Sequence, residues 1–204
     1  LSADAQKLLA DLLPKMDSLT PKQRLAVPLQ EMPVQPPGVR RNNMSEVALG
    51  YTPEQARVES MRCLQCKNEP CIAGCPVRIN IPAFLAAAAD GDFEKSVGII
   101  KENSLLPAVC GRVCPQEVQC QLNCTVGKAL KSVDKAVSIG RVERYVADYE
   151  RDKGLLKPPA IKHATGKKVA IIGTGPAGIT TAADVRRDGH SVTMFEAFHK
   201  PGGV

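Results

Sequence analysis

Tryptophan is absent, and the 204 residues include only four phenylalanines and three tyrosines. That leaves little for a large aromatic core or for a surface that stacks bases. Long apolar runs are missing too: none approaches the roughly 20 residues of a membrane span. The first 15 residues have neither the apolar core nor the cleavage site of a signal peptide. The expectation is therefore a cytoplasmic protein that does not engage membranes. Histidine is scarce, and His163, His190 and His199 all lie late in the chain. The formal net charge of +6 raises the question of nucleic acid. The basic residues are scattered, however, and many fall in one stretch (Arg151, Lys153, Lys157, Lys162, Lys167, Lys168). Metal-bound cysteines would also be thiolates, whose charge the formal count ignores. Nucleic acid is accordingly not expected as a partner.

What is present is concentrated between Cys63 and Cys124, which enclose all eight cysteines in two tetrads. The first reads Cys63-x2-Cys66-x4-Cys71-x3-Cys75-Pro76 and the second Cys110-x3-Cys114-Pro115-x4-Cys120-x3-Cys124. In a reducing compartment such clustering means metal or redox chemistry rather than disulfides. Zinc sites favour paired Cys-x2–4-Cys knuckles or Cys/His mixtures. Here only Cys63/Cys66 forms a Cys-x2-Cys pair, and no histidine lies in the block. Iron–sulfur binding fits better, because a bacterial ferredoxin run ends in Cys-x3-Cys-Pro and its last cysteine serves the other cluster. On that precedent Cys63, Cys66 and Cys71 grip one cluster, Cys75 reaches a second, and the first takes its fourth ligand from the later tetrad. Interleaved clusters would pin helices together, so metal binding would also be folding free energy.

Read in order, residues 2–13 predict an amphipathic helix with Leu8, Leu9, Leu12 and Leu13 on one side and Ser2 as N-cap. Five prolines between 20 and 41 argue against regular helix and for an extended segment over another surface, or a disordered linker. Thr52-Pro53-Glu54-Gln55 has the form of a capping box that opens a helix to about Arg62. Helices follow over 81–89, stopped by Gly91, and over about 93–102, and the second tetrad sits on short helical turns. Residues 134–150 form the clearest amphipathic helix, with Ala136, Ile139, Val142, Val146 and Tyr149 at helical spacing. Residues 154–165, with two prolines, read as a linker.

After Gly166 the character changes. Residues 168–173 make a β-branched run ending in glycine, which suits a buried parallel strand. A helix over about 177–188 is closed by Gly189, and residues 191–196 form a second strand. Between strand and helix, Gly173-Thr-Gly175-Pro176-Ala177-Gly178 matches G-x-G-x-x-G, whose glycines allow a tight turn and close backbone approach to a pyrophosphate. Glu196 ends the second strand, where a carboxylate can bind ribose hydroxyls. Gly202-Gly203 adds another close-approach backbone. The fingerprint serves FAD and NAD alike.

Taken together, the cysteine block, Cys110-Gly-Arg-Val-Cys114-Pro, Ile139-Gly-Arg-Val-Glu-Arg-Tyr145, the stretch from Val169 to Gly178 and Lys200-Pro-Gly-Gly203 resemble the small subunit of NADPH-dependent glutamate synthase. The same module occurs in dihydropyrimidine dehydrogenase and in NADH-dependent ferredoxin:NADP oxidoreductase. The resemblance implies a mostly α, ferredoxin-like N-terminal domain with two [4Fe–4S] clusters, followed by the βαβ start of a Rossmann-like α/β FAD-binding domain. It divides the chain into 1–41 (helix and Pro-rich segment), 42–153 (helical iron–sulfur domain), 154–166 (linker) and 167–204 (truncated FAD-binding βαβ). Carried over by residue, one cluster takes Cys63, Cys66, Cys71 and Cys124. The other takes Cys75, Cys114, Cys120 and Glu143, with Cys110 a spare, buried thiol. FAD uses Gly173, Gly175, Pro176, Ala177, Gly178, Glu196, Gly202 and Gly203. Glu143 also stands four residues after Ile139 and three before Val146, so it faces the apolar side of its helix, where a carboxylate needs a partner. The alternative is a solvated Glu between Arg141 and Arg144.

The implied role is an oxidoreductase module. It relays electrons from NADPH through FAD and the clusters to a large synthase-type subunit or another acceptor protein, with no acid–base catalytic residue. The family's chain continues past position 204 through its NADPH site, so on this reading the chain is a fragment, inactive alone. An electron-bifurcating ferredoxin:NADP oxidoreductase subunit is the alternative enzyme, and a zinc-stabilised interaction domain the alternative of another class.

Overall fold

A computed structural model describes residues 2–203, Ser2 by its backbone alone; the expected Ser2 cap therefore lies outside the described residues. The chain falls into two compact units, one reaching Leu155 and the other beginning at Leu156.

The first unit is helical. Helix α1 (Ser2–Leu12) buries Ala5, Leu9 and Leu12, the i, i+4, i+7 stripe of an amphipathic helix. Leu13, expected on the same face, is exposed, because Pro14 sits where the chain tightens into a 3₁₀ turn, Leu13–Ser18. The proline-rich stretch departs from expectation as well. It holds two short helices, α2 (Pro21–Ala26) and α3 (Pro37–Arg40). Pro21 and Pro37 open them at the first helical position, where a missing N–H costs nothing, and Thr20 with Gln23 closes a capping box on α2. Between them the chain is extended and pairs antiparallel with residues 47–49: Gln35 N donates to Val47 O at 2.8 Å and Leu49 N to Pro33 O at 2.8 Å.

Helix α4 (Pro53–Met61) starts on the expected capping box, with Gln55 N on Thr52 Oγ1 at 3.3 Å and Thr52 N on Gln55 Oε1 at 3.1 Å. There follow α5 (Pro70–Ala73), α6 (Ile81–Asp90), α7 (Phe93–Lys101), α8 (Pro107–Val113), α9 (Thr125–Ala129) and α10 (Ile139–Asp152). Gly91 ends α6 at φ +87°, a backbone region that costs glycine little. The core lies among α4, α6, α7 and α10, where Ala56, Phe84, Leu85, Val97, Ile100, Val142 and Val146 are fully or nearly fully buried. Each large member is worth roughly 1.5–3 kcal/mol of transfer free energy. The few aromatics are concentrated: Phe93 sets its edge against Tyr145 and Tyr149, with centroids at 4.9 and 5.1 Å.

Helix α10 begins five residues later than its periodicity suggests, and residues 133–135 form a separate 3₁₀ turn. The cause is a buried ion pair. Glu59, on the last turn of α4, and Arg62, which caps that helix, meet at 2.6 Å with side chains 0% and 2% exposed. Arg62 donates to Lys135 O (2.7 Å), Ala136 O (2.9 Å) and Val27 O (3.2 Å). Glu59 accepts from Ser138 N (2.8 Å) and Gln30 N (2.9 Å). These bonds take the peptide groups that a longer α10 would use internally.

In the second unit, β1 (Lys168–Ile172) and β2 (Ser191–Phe195) pair in parallel from Lys168↔Ser191 to Ile172↔Phe195, joined by α11 (Pro176–Arg187). Gly189, at φ +93°, follows the helix. Of β1 only Ile171 is buried, whereas Ile172 and Phe195 are exposed. The run reads as a strand covered on both faces, but among the described residues of this unit one helix covers one face.

Replacing Arg62 with Leu would leave Glu59 buried without its countercharge, at an expected cost of about 3–5 kcal/mol in urea unfolding of the anaerobically purified chain. A loss under about 1 kcal/mol would show that the pair does not hold these segments.

Candidate functional site

The cysteines separate into two groups. Arg62 anchors the end of α4 and so delivers Cys63 into the core. Cys66 follows on a loop in which Gln65 and Glu69 adopt left-handed backbone angles. Cys71 lies on α5, and Cys124 immediately precedes α9. Cys63, Cys66, Cys71 and Cys124 line one cavity of about 20 Å³. Burial pushes the Cys63 thiol up to about 11 and Cys71 to about 12, and the neighbouring cysteines push the same way. Cys66 Sγ lies 3.2 Å from Thr125 Oγ1, to which its thiol donates.

The second group surrounds a larger cavity, about 100 Å³, walled by Ile79, Ile81, Phe84 and Ile139. It brings together Cys75, Cys114, Cys120 and Glu143. Cys110, expected as a buried spare, lines the same cavity and is only half-buried. Burial raises Cys114 to about 11 and Cys120 to about 12, with further pressure from the adjacent thiols and from Glu143. Glu143 is 6% exposed, and burial pushes its carboxyl up to about 7. Its Oε1 is the one buried side-chain polar atom among the described residues with no hydrogen-bond partner. The flanking arginines do not serve it. Arg144 donates to Ala48 O at 2.7 Å and Arg141 to Gln30 O at 3.4 Å. A buried acceptor without a donor costs roughly 1–3 kcal/mol, so this carboxylate calls for a cation.

The second group depends on how closely α8 approaches α10. A Cβ on Gly111 would stand 2.6 Å from Arg144 N, so only glycine permits the crossing that sets Cys114 beside Glu143. Outside the cavity the same crossing is tied by charge. Asp148 of α10 accepts from Arg112 of α8 at 2.7 Å and from Arg144 at 3.5 Å. Glu46 bridges both arginines, at 2.9 and 3.1 Å.

Both donor groups ring a space rather than a point. Among the described residues no three His, Cys, Asp or Glu side chains are placed to hold a single metal ion. A tetrahedral zinc site would need sulfurs within roughly 4 Å of one another. Four thiols in one group, and four thiols with an orphaned buried carboxyl in the other, fit a polynuclear iron–sulfur group by donor type.

In the second unit the fingerprint residues also meet. A Cβ on Gly178 would lie 2.1 Å from Gly173 O, so the third glycine permits the strand-to-helix contact that aims the first turn of α11, with Pro176 and Ala177, at the loop. Glu196 Oε2 accepts from Thr174 N at 3.0 Å and from the Thr174 hydroxyl, and Oε1 accepts from Phe198 N at 2.9 Å. The Thr174 hydroxyl, then the Phe198 and Thr174 amides, hold this carboxyl down at about 2. Gly202 N returns to Thr174 O at 3.0 Å, and Gly203 lies against Gly175. Sequence reasoning passed over Thr174, Thr125 and the Arg112–Asp148–Arg144 clamp. Thr174, Thr125 and Arg112 act across distant segments, so their spacing carries no signal; within the clamp only Arg144 and Asp148 stand at the local i,i+4 spacing.

Changing Gly111 to Ala is expected to cost about 1–3 kcal/mol by overpacking, seen as a lower melting temperature. Gly98→Ala, where the added methyl meets open space, is expected to be neutral or to stabilise by up to about 1 kcal/mol. Equal effects would remove the close approach as the reason for Gly111.

The sequence is similar to those of known proteins. The family described as dihydropyrimidine dehydrogenase domain II, 4Fe–4S cluster, matches residues 40–155, and the NAD(P)-binding Rossmann-like domain matches residues 171–204. The glutamate synthase [NADPH] small chain of Azospirillum brasilense is 34% identical over 176 residues, covering 86% of this chain and 36% of that protein. The NAD-dependent dihydropyrimidine dehydrogenase subunit PreT of Escherichia coli O157:H7 is 38% identical over 165 residues, covering 80% and 39%. The glutamate synthase [NADPH] small chain of Escherichia coli K12 is 36% identical over 172 residues, covering 84% and 36%. The chain thus spans less than two fifths of the length of these relatives. With the 4Fe–4S family matched over more than half of its residues, the chain belongs to the dihydropyrimidine dehydrogenase domain II, 4Fe–4S cluster family.

Proposed function

We propose that this chain is the electron-transfer part of an oxidoreductase of the NADPH-dependent glutamate synthase small-subunit type. It would pass electrons from NADPH, by way of FAD and two [4Fe–4S] clusters, to a large synthase-type partner subunit in the cytoplasm. The observation that carries this reading is the division of the donors into two separate groups, one of which holds a buried carboxylate with no partner. Cys63, Cys66, Cys71 and Cys124 would hold the first centre, and Cys75, Cys114, Cys120 and Glu143 the second. Iron–sulfur centres supply one-electron relay without proton transfer, which is why no catalytic acid or base is assigned. The protein's own contribution is to hold the ligands apart at fixed positions. Around the second centre Ile79, Ile81, Phe84 and Ile139 would also keep water away and favour transfer over side reaction.

The second unit would bind FAD: the Gly173–Gly178 loop and the start of α11 at the pyrophosphate, Glu196 at the ribose, and the Gly202-Gly203 turn closing over the loop. Thr174 holds Glu196 ionised and oriented, so it would meet ribose hydroxyls as an acceptor. NADPH would bind in the part of the relatives that this chain does not match. No helix among the described residues is long and apolar enough to cross a membrane. The similarity to PreT favours a second reading, in which the same relay serves a dihydropyrimidine dehydrogenase partner. Co-purification of the partner from the source decides between the two.

Purified without oxygen, the chain is expected to be brown, to carry about eight irons, four for each centre, and to bleach with dithionite. A colourless, zinc-containing protein would overturn the reading. Glu143→Ala is expected to lose up to about half of that iron; unchanged iron and unchanged spectra would remove Glu143 from the ligand set.

A further inference from the structure

The two donor groups differ in the charges and hydrogen bonds that face their sulfurs. At the first, the Cys66 thiol donates to Thr125 Oγ1 at 3.2 Å. A sulfur bound to iron is a thiolate and only accepts. The same pair then persists with the hydroxyl as donor, since a hydroxyl can play either part. Thr125 is the first residue of α9, directly after Cys124, and lines the cavity. A cation is fixed nearby as well. Arg24 donates to Cys63 O at 3.2 Å and Met61 O at 2.9 Å. At the second group the one carboxylate, Glu143, belongs to the proposed ligand set itself, where it takes the place of a fourth thiolate. The hydroxyl recorded there, Ser104 Oγ, contacts Cys110 at 3.8 Å, the sulfur left over from the ligand set.

Adding one electron makes a centre one unit more negative. A hydrogen bond to a ligand sulfur or a nearby cation stabilises that state. We propose that Thr125 is a potential-tuning residue: its hydroxyl, donating to Cys66, sets the first centre at a higher reduction potential than the second. This rests on the two-centre reading above. Electrons supplied to the pair would then settle on the first centre, and the second would fill only under stronger reducing conditions.

The test is an anaerobic redox titration of the full chain with dithionite and mediators, followed by EPR and visible absorption, for the wild type, Thr125→Val and Thr125→Ser. Two one-electron transitions are expected. Thr125→Val should lower the higher of the two, so that the reduced-to-oxidised ratio at a fixed potential falls about three- to tenfold, tenfold being about 59 mV for one electron. The lower transition should not move, and Thr125→Ser should stay within about twofold of wild type, because it keeps the donor. If Thr125→Val fails to load iron, Thr125→Ala is titrated in its place; failure of both would make Thr125 a structural residue and overturn the proposal. An unmoved higher transition, or a shift confined to the lower one, also overturns it. A wild-type chain with only about four irons overturns the two-centre reading itself, and this proposal with it.

Discussion

The first unit depends on one buried ion pair. Glu59 and Arg62 leave water almost completely, a transfer that costs several kcal/mol per ion. Five further hydrogen bonds offset it, each worth roughly 1.5–3 kcal/mol because one partner is charged. Those bonds join three stretches distant in sequence: the segment around Val27 and Gln30, the end of α4, and residues 135–138. Net stability from such a pair is small, since cost and gain nearly cancel. What it secures is register. Arg62 is followed by Cys63, and Ser138 leads directly into α10 and Glu143. One pair therefore indexes an element of each donor group.

Register matters because the two groups share their elements. The loop and helix that present Cys63, Cys66 and Cys71 to the first cavity continue into Cys75 at the second. The stretch that presents Cys114 and Cys120 to the second continues into Cys124 at the first. A shift of either element would disturb both groups at once. Burial, then the neighbouring thiols, oppose the ionisation of Cys63, Cys71, Cys114 and Cys120. Binding metal as thiolates would reverse that opposition, so fold and metal would stabilise each other.

Much of this was legible in the residues. The Cys-x3-Cys-Pro spacing pointed to the mixing of the two tetrads that the cavities show, Thr52 and Gln55 announced α4, and Ile139, Val142 and Val146 placed Glu143 on the inward face. Those signals are local, within one turn or one loop. What escaped depends on contacts across the chain. The late start of α10 follows from a guanidinium 73 residues away. Pro21 and Pro37 open helices instead of preventing them, a matter of position within a turn rather than of composition. The glycine in Cys110-Gly-Arg-Val-Cys114 gains its meaning only once Arg144 is known to lie against it.

The nucleotide unit shows the same division between local and distant causes. Its glycines were readable because a fingerprint is a local backbone requirement. The state of Glu196 was not, because it is set by Thr174, 22 residues earlier. That threonine ties three parts of the loop together: its hydroxyl and amide hold the carboxylate, and its carbonyl receives Gly202 N. A carboxylate fixed in this way is ionised and aimed before any ligand arrives, which reduces the ordering cost that binding must meet. The same logic applies at the sulfurs. Cys66 already faces the hydroxyl that it would need as a thiolate, and Glu143 already stands unpartnered where a cation would satisfy it. In both units polar groups are thus fixed in place before any bound group arrives, a preorganisation that supports the cofactor positions proposed above.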